Sequence, residues 1–452
     1  MQYFGETPFF VSRGSMNYGV NAMKTINREI LRIALPAIAT NVTTPLLGLV
    51  DIAIVGHFGS AGYLAAIAVG SSVFNMIYWL LNFLRMGSSG LTAQAVGAGD
   101  RRRRDVIFWR AFLTGLLLGV VVLCLSPLLA DLLIPFMEAD EATSGLAERY
   151  FMYAVFGAPA YIGLYAVTGW LIGCQNSAAT LRIALITNVS NILISLTLVW
   201  AFEMRMEGVA IGTALSQWIG LLSGLLLIRG KYRPLLPSRA ELLNFKELGA
   251  FGKINLDIFF RTACLVAVTI WFTRAGAMQG EDILAANAIL MQFFMLFSFF
   301  MDGFAYSGEA LAGKYYGAFD VERLKRLEKI LMRWGTGMSL LGVTVYFIGG
   351  EFIMSLLTDE ETVRAQAREY MNWAITVPLF GFMAFIYDGI FIGLTLTRKM
   401  LISMFCAMGI FFLLYFLLRG SMGNDGLWLA FSCYLACRGV MQFFLLRRSA
   451  LT

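Results

Sequence analysis

Five carboxylate residues lie inside long apolar stretches of this sequence, where an isolated charge is costly. They are Asp51, Asp257, Asp302, Glu309 and Asp388. An ionisable side chain at membrane depth is disfavoured unless it is paired or hydrated, and a carboxylate in a medium of low dielectric constant tends to hold a proton. The five residues are therefore candidates for binding a proton or a charged ligand.

Asp51 is predicted to lie in the outer half of the first helix. From that depth a carboxylate can take up a proton from outside and release it inside. Pro36 and Pro45 remove backbone hydrogen bonds from the same helix and allow it to bend. The alternative is a carboxylate that only forms a hydrogen bond to a neighbouring helix.

A polar stripe follows the predicted eighth helix, where Asp302, Tyr306 and Glu309 stand at i, i+4 and i+7. The corresponding stripe on the second helix includes Asn82 and Arg85 and contains no acid. Polar stripes in apolar helices face a bundle interior or a hydrated cavity, so we expect an acidic wall from the second half and a mixed wall from the first. Such a cavity suits a cationic ligand, unless the acids serve only to pair with arginines inside the membrane.

Asp257 and Arg261 stand at i and i+4 on the predicted seventh helix, the spacing of an ion pair on one helix face. We expect them to pair with each other, which makes the helix tolerable in lipid, or to contact a ligand in the cavity. Asp388 begins the motif Asp388-Gly-Ile-Phe-Ile-Gly393 in the tenth helix and is a further candidate for the cavity.

The composition predicts an all-α integral membrane protein. Hydrophobic residues make up 58% and charged residues 14% of the 452 residues, whereas charged residues approach about a quarter of a soluble domain. Apolar runs long enough to span a bilayer recur along the whole chain, and the single histidine, His57, excludes chemistry by several imidazoles. Hydrophobic windows and helix breakers predict twelve transmembrane helices, at 29–57, 63–97, 107–135, 150–172, 180–202, 208–229, 247–275, 284–316, 330–357, 370–394, 399–420 and 425–447.

Lysine and arginine residues determine the predicted orientation. They concentrate in alternate loops, including Arg101–Arg104 and the loops at 229–253 and 314–333, whereas the opposite loops are acidic. Because basic loops stay in the cytoplasm, both termini are predicted to be cytoplasmic. Residues 1–22 resemble neither a signal peptide nor a span; we expect a disordered extension, or a natural start at Met23.

The two halves of the chain repeat. A shift of 220 residues places Leu64-Ala-Ala66 on Leu284-Ala-Ala286 and Gly97 on Gly317. Each half has six spans, so both halves enter the membrane in the same direction, as parallel repeats of secondary transporters do. We therefore predict two pseudo-symmetric six-helix lobes, with an N-terminal lobe at 23–229, a cytoplasmic linker at 230–246 and a C-terminal lobe at 247–452.

Several motifs resemble those of one known family. The first helix contains Gly48-Leu-Val-Asp51-Ile-Ala-Ile-Val-Gly56, and the second ends in Ala95-Val-Gly-Ala-Gly-Asp100. The eighth helix contains Asp302-Gly-Phe-Ala and Gly308-Glu-Ala-Leu-Ala-Gly313. From about Met23 onward, the sequence resembles the MATE (multidrug and toxic compound extrusion) transporters, in particular their DinF-like branch.

This resemblance implies two lobes around a central cavity and export of organic compounds against protons or sodium ions, with no cofactor besides that coupling ion. It also implies that Asp51 binds the proton, with Asn188, Asn191 and Thr213 as polar partners, although the asparagines could instead only join neighbouring helices. Many members have a further aspartate where this sequence has Ser195, which cannot hold a charge. A proton is therefore favoured over sodium as the coupling ion.

The expected partners are small organic substrates and the lipid bilayer, for a monomer in the bacterial inner membrane. No Walker lysine or nucleotide-binding domain is recognisable, so we expect no ATPase subunit, and no metal site is predicted. Arg101–Arg104 is expected to contact lipid headgroups rather than nucleic acid. The alternative functions are a flippase for lipid-linked precursors, an integral-membrane transferase and a channel.

Overall fold

The computed structural model describes residues 23–43, 61–137 and 139–448, which are almost entirely helical and contain no β-strand. The helices are α1 (23–43), α2 (Ala61–Leu81), α3 (Phe83–Gly97), α4 (Arg101–Cys124), α5 (Ser126–Leu133), α6 (Glu141–Ala154), α7 (Ala158–Gly173), α8 (Ser177–Trp200), α9 (Met206–Lys231), α10 (Arg239–Leu242), α11 (Phe245–Ala277), α12 (Glu281–Gly317), α13 (Val321–Leu357), α14 (Glu361–Gly393) and α15 (Thr397–Arg447). The predicted all-α class is confirmed.

Ten helical segments among the described residues are long and apolar enough to cross a membrane. α15 covers two predicted spans. Its backbone leaves the helical conformation at Gly423 (φ 53°, ψ −123°), and this kink separates the two spans at the predicted break between 420 and 425. The first predicted span is described only as α1, since residues 44–60, which include Asp51, lie outside the described residues. With α1 and the two parts of α15, the segments correspond to the twelve predicted spans.

Some helices begin earlier than the hydrophobic windows indicated. Asp100 and Asp320 each accept a hydrogen bond from the backbone N–H three residues later, at 2.8 and 2.9 Å. These side chains satisfy donors that the first turn leaves free. As a result α4 begins at Arg101 rather than 107 and α13 at Val321 rather than 330, with charged first turns that no apolar window detects.

Two hydrophobic cores correspond to the two halves of the chain. The first is built mainly from α2–α9 around buried side chains such as Phe151 and Trp170. The second is built mainly from α11–α15 around Phe293, Phe391 and Trp428. Because lipid tails are as apolar as these side chains, close packing rather than exclusion of water holds each core together.

The first helix of each half also packs against the opposite half. Ile30 of α1 is buried in the second core, and the Ser307 hydroxyl of α12 donates a hydrogen bond to the backbone carbonyl oxygen of Ile30 at 3.0 Å. Phe251 of α11 lies in the first core, and Asn255 lies against Gly87 of α3. The predicted lobes divide the chain strictly in sequence order. In the structure, α1 of the first half also packs into the second core, and α11 of the second half also contacts the first core.

A pair of glycines joins the two halves at the end of the molecule that bears Arg101–Arg104. A Cβ atom on Gly97 would overlap the carbonyl oxygen of Lys314, and a Cβ atom on Gly317 would overlap that of Gln94. The shift of 220 residues that relates the halves converts one contact into the other. Because only small residues allow backbones to approach this closely, the two halves are tightly closed here. We call this contact the glycine seam.

Candidate functional site

A cavity of about 370 Å³ lies between the two halves, mostly within the second, and its size is that of a pocket for a small molecule. The first half contributes Trp79, Asn82, Arg85 and Met86, and the second half contributes residues of α11, α12, α14 and α15. Along α12 the cavity extends from Glu309 to Leu284, away from the glycine seam. Its other polar lining residues are Arg261, Thr269, Thr273, Asn287, Gln292, Ser298, Asp302, Tyr306, Asp388, Tyr434 and Arg438.

Asp388 of α14 stands between two arginines from other helices. Its carboxylate forms ion pairs with Arg261 of α11 and with Arg438 of α15, the latter at 2.9 Å between Oδ2 and Nη2. It also accepts a hydrogen bond from the Gln442 amide at 2.6 Å. All four side chains are buried. One carboxylate thus compensates two guanidinium groups in a place where an unpaired charge is strongly disfavoured.

The predicted ion pair between Asp257 and Arg261 is wrong. Arg261 instead reaches Asp388 in the cavity, whereas Asp257 does not line the cavity. Asp257 accepts a hydrogen bond from the Thr397 hydroxyl at 3.1 Å and forms an ion pair with Arg398 at 3.5 Å, at the beginning of α15. Residues at i and i+4 share a face, but long side chains on that face can reach different helices. The positive end of the α15 dipole also favours a carboxylate at this position.

Arg85 and Glu309 form an ion pair that bridges the two halves of the molecule. The Arg85 Nη1 and Glu309 Oε2 atoms lie 3.6 Å apart, and both side chains are buried. Arg85 also donates a hydrogen bond to Asn82 at 3.1 Å, and its guanidinium group lies 4.3 Å from the centre of the Tyr306 ring. The cation–π contact and the ion pair together fix Arg85 against α12.

Asp302 is the acid of the cavity on which the arginines Arg85, Arg261 and Arg438 act only through space. No hydrogen bond or ion pair joins its carboxylate to the residues that the structure describes. The cavity contains three acids, Asp302, Glu309 and Asp388, and three arginines, Arg85, Arg261 and Arg438. The predicted acidic wall is therefore corrected to a charge-balanced cavity with one carboxylate outside the direct ion pairs, because arginines from α3, α11 and α15 converge on the acids of α12 and α14.

Of the polar partners predicted for Asp51, Asn188 contacts the described end of α1, whereas Asp51 itself lies outside the described residues. The Asn191 amide of α8 donates a hydrogen bond to the Thr213 hydroxyl of α9 at 3.0 Å. Asn188 donates to the carbonyl oxygen of Thr43 at 3.4 Å. Asn191 is buried, and its side-chain oxygen accepts no hydrogen bond from the described residues. The role of this polar cluster in binding a proton stays a prediction.

The sequence analysis missed two features of the second half. Gln442 follows Arg438 by one turn of an apolar helix, a spacing that could have indicated their shared partner. Asn287 and Asn424 form reciprocal amide hydrogen bonds of 2.8 and 3.0 Å, and the Trp428 indole donates to Asn287 at 2.8 Å. No sequence spacing could have indicated this second contact, since its residues come from α12 and from the kinked part of α15.

In the described part of the chain, no group of three or more His, Cys, Asp or Glu side chains could hold a metal ion.

Comparison with known sequences identifies a family pattern in each half. A sequence model of the family described as MatE matches residues 36–197 and 257–417, two stretches that begin 221 residues apart. The chain is 34% identical to the DNA damage-inducible protein F of Escherichia coli (strain K12) over 425 residues, which cover 93% of this chain and 92% of that protein. It is 24% identical to the probable multidrug resistance protein NorM of Thermotoga maritima over 361 residues, covering 75% and 74% of the two chains.

Solved structures share the fold. The Vibrio cholerae MATE transporter VcmN aligns with a TM-score of 0.85 at 16% identity, over 95% of this chain and 99% of that one. An outward-facing multidrug resistance transporter of the same family aligns with a TM-score of 0.83 at 19% identity, over 94% and 97% of the two chains. These likenesses confirm the architecture of twelve helices in two lobes.

Proposed function

Since the chain belongs to the MATE family of multidrug and toxic compound efflux transporters, we propose that it exports organic cations in exchange for protons that flow inward. The protein is a multi-pass membrane transporter and not an enzyme. The coupling ion, the charge of the substrate, the inner-membrane location and the orientation belong to the proposal.

The observation that carries this proposal is a charged cavity bounded by both halves and closed at one end. The glycine seam lies at that end, and the Gln94 amide adds a hydrogen bond across it to the carbonyl oxygen of Gly393 at 2.9 Å. The basic loops stand at the same end, and basic loops remain in the cytoplasm. The arrangement supports a state closed toward the cytoplasm, from which the seam must open for alternating access.

The charges of the second half support proton rather than sodium coupling. Asp388 is surrounded by Arg261, Arg438 and Gln442, so guanidinium groups already stand where a metal cation would have to bind. Glu309 is likewise paired with Arg85. In the first half, Asn191, Thr213 and Ser195 are neutral, so these predicted partners of Asp51 supply no second acid with which to hold sodium. Protonation of that carboxylate is the simpler exchange.

The lining of the cavity supports an amphipathic cation as substrate. Asp302 is the carboxylate that is free to face a positive group, and Trp79, Met86, Met291 and Met295 supply aromatic and adaptable apolar surface. A substrate cation would replace part of the hydration that an unpaired carboxylate otherwise requires. The Thermotoga maritima relative carries the name of a multidrug resistance protein, which agrees with a cavity of this kind.

Exchange requires that proton and substrate exclude each other. In the proposed cycle, protonation of Asp51 from outside bends the first helix, which Pro36 and Pro45 predispose to bend because they lack a backbone N–H to donate, and this bend favours release of the substrate. By reciprocity, bound substrate favours the deprotonated form. The ion pair between Arg85 and Glu309 crosses the lobes and must rearrange when they move.

The test is efflux of a fluorescent organic cation from proteoliposomes with an imposed proton or sodium gradient, for the wild type and Asp51→Asn. We expect flux that the proton gradient drives and that the substitution abolishes. Flux that only sodium drives would contradict proton coupling. Substrate that equilibrates without moving protons would indicate a channel.

A flippase for lipid-linked precursors is the second candidate, because three arginines line the cavity and could bind a phosphate. The three acids that compensate them make it the weaker one. Absence of cation flux under either gradient, together with movement of a lipid-linked pyrophosphate across the vesicle membrane, would favour it.

A further inference from the structure

A second groove opens on the surface between α13, α14 and α15, on the side of the molecule that bears the basic loops. Its volume is about 320 Å³, and it shares no lining residue with the cavity described above. We call it the α13–α15 groove. It is lined by Glu328, Lys329, Met332, Arg333, Met383, Tyr387, Phe443 and Arg447.

The groove carries an excess of positive charge. Its one acid, Glu328, is buried, accepts a hydrogen bond from the Tyr387 hydroxyl at 3.0 Å and forms an ion pair with Arg447 at 3.6 Å. Lys329 and Arg333 are exposed, and neither forms an ion pair with a described residue. Glu328 therefore compensates Arg447, and the two charges of Lys329 and Arg333 remain for a ligand.

Apolar side chains form the rest of the groove. Met332, Met383 and Phe443 come from three different helices and are only partly buried by the protein. The Arg447 guanidinium group lies 5.1 Å from the centre of the Phe443 ring and holds that side of the groove in place. Basic groups beside an apolar strip complement a molecule that carries an anionic group and a hydrocarbon chain.

The groove also lies at the depth of the lipid headgroups. The predicted ninth span begins at 330, so Lys329 and Arg333 stand at its boundary. Long basic side chains reach the membrane interface from such positions, and basic pockets between helices on the cytoplasmic side bind anionic lipid headgroups.

We propose that the α13–α15 groove binds an anionic glycerophospholipid. The phosphate of the lipid lies between Lys329 and Arg333, and one of its acyl chains packs against Met332, Met383 and Phe443. A soluble phosphate compound would leave that apolar strip uncovered. The site depends on the membrane orientation and not on the transported substrate or the coupling ion, so its failure and that of the transport proposal are distinguishable.

The test uses the full chain in nanodiscs of phosphatidylcholine that contain a minor fraction of phosphatidylglycerol. Native mass spectrometry then counts the lipids that stay bound to the protein after it is released from the nanodisc. Each basic residue near the interface is worth about a 5-fold change in binding. We therefore expect Lys329→Gln/Arg333→Gln to weaken retention of phosphatidylglycerol by about 25-fold. The control, Arg239→Gln/Lys246→Gln, removes two exposed charges of the basic loop on the same side, outside the groove, and should retain phosphatidylglycerol as the wild type does.

Three results would overturn the proposal. The first is that the groove variant and the control retain equal amounts of phosphatidylglycerol. The second is that the wild type retains phosphatidylcholine and phosphatidylglycerol equally. The third is that soluble glycerol phosphate displaces the bound phosphatidylglycerol at the same concentration as the diacyl lipid does. The two substituted side chains are exposed, and gel filtration of both variants verifies that they fold as the wild type does.

Discussion

The two halves of the molecule accommodate polar groups inside the membrane in different ways. In the first half, Asn191 and Thr213 of α8 and α9 bring neutral amide and hydroxyl groups together. In the second half, Asp388 is enclosed by full positive charges from Arg261 and Arg438. A carboxylate among neutral groups can exchange a proton without leaving another charge unpaired. A carboxylate that compensates two guanidinium groups cannot. The comparison supports our proposal that ion coupling takes place in the first half, while the second half supplies the fixed charges of the cavity.

The largest effect is expected from Asp388→Ala, which tests whether the second half needs its charges for stability. The change leaves Arg261 and Arg438 buried without a counterion, and loss of one partner of a buried pair costs about 3–5 kcal/mol. Thermal unfolding of the purified protein in detergent measures the loss. The matched control is Asp302→Ala, which removes a carboxylate of the same cavity that forms no direct ion pair with a described residue. Equal unfolding temperatures for the two variants would contradict the structural role of Asp388.

Asp302→Asn should separate substrate binding from stability within the second half. The side chain keeps its shape but loses the charge that faces a cationic substrate, and contacts to a charged group contribute about 1.5–3 kcal/mol. Binding of a fluorescent organic cation should weaken by roughly 10-fold or more, while binding of a neutral analogue of the same shape stays the same. If both ligands lose affinity equally, Asp302 does not act through its charge.

Gly317→Ala tests whether the glycine seam holds the observed state. The new methyl group would overlap the carbonyl oxygen of Gln94, and overpacking of a tight contact costs about 1–3 kcal/mol. The state closed at the basic end should become less populated by about 5-fold or more, the factor that corresponds to about 1 kcal/mol. Gly409→Ala is the control, since nothing lies within 4 Å of its added Cβ atom.

Access to the cavity measures this shift. The reporter is Ala288→Cys, at a position that lines the cavity, in a protein without its other cysteines. A membrane-impermeant maleimide is added on the side of the acidic loops. We expect it to label this cysteine more slowly when Gly317→Ala is present than when Gly409→Ala is present. Equal labelling rates would show that the seam does not control access.

Asn191→Ala should have the smallest effect on stability and distinguishes the two interpretations of the polar cluster. Interhelical hydrogen bonds in membranes contribute about 0.6 kcal/mol on average, so the unfolding temperature should change little. If Asn191 supports a proton site, the pH dependence of efflux shifts, whereas Asn188→Ala, which loses only a long contact to Thr43, shifts it less. A lower stability with an unchanged pH profile would mean that Asn191 only joins the helices.

The fold followed from the sequence more completely than the site did. Hydrophobic runs, the break near Gly423 and the repeat are local or periodic signals, and the structure agrees with all three. Partners of buried charges are not local. Arg261 pairs with a residue 127 positions away rather than with Asp257 one turn before it, because the choice depends on how α11 and α14 are rotated against each other. Sequence spacing identified the candidates, and packing selected the pairs.

The central claim is that Asp51, and no acid of the second half, carries the coupling proton. Proton release on addition of an organic cation, followed with a pH indicator in weakly buffered solutions of the purified protein, tests it most directly. The account predicts release by the wild type and by Asp302→Asn at saturating substrate, and none by Asp51→Asn. Release by Asp51→Asn at the level of the wild type would contradict the account and move the coupling site to another carboxylate.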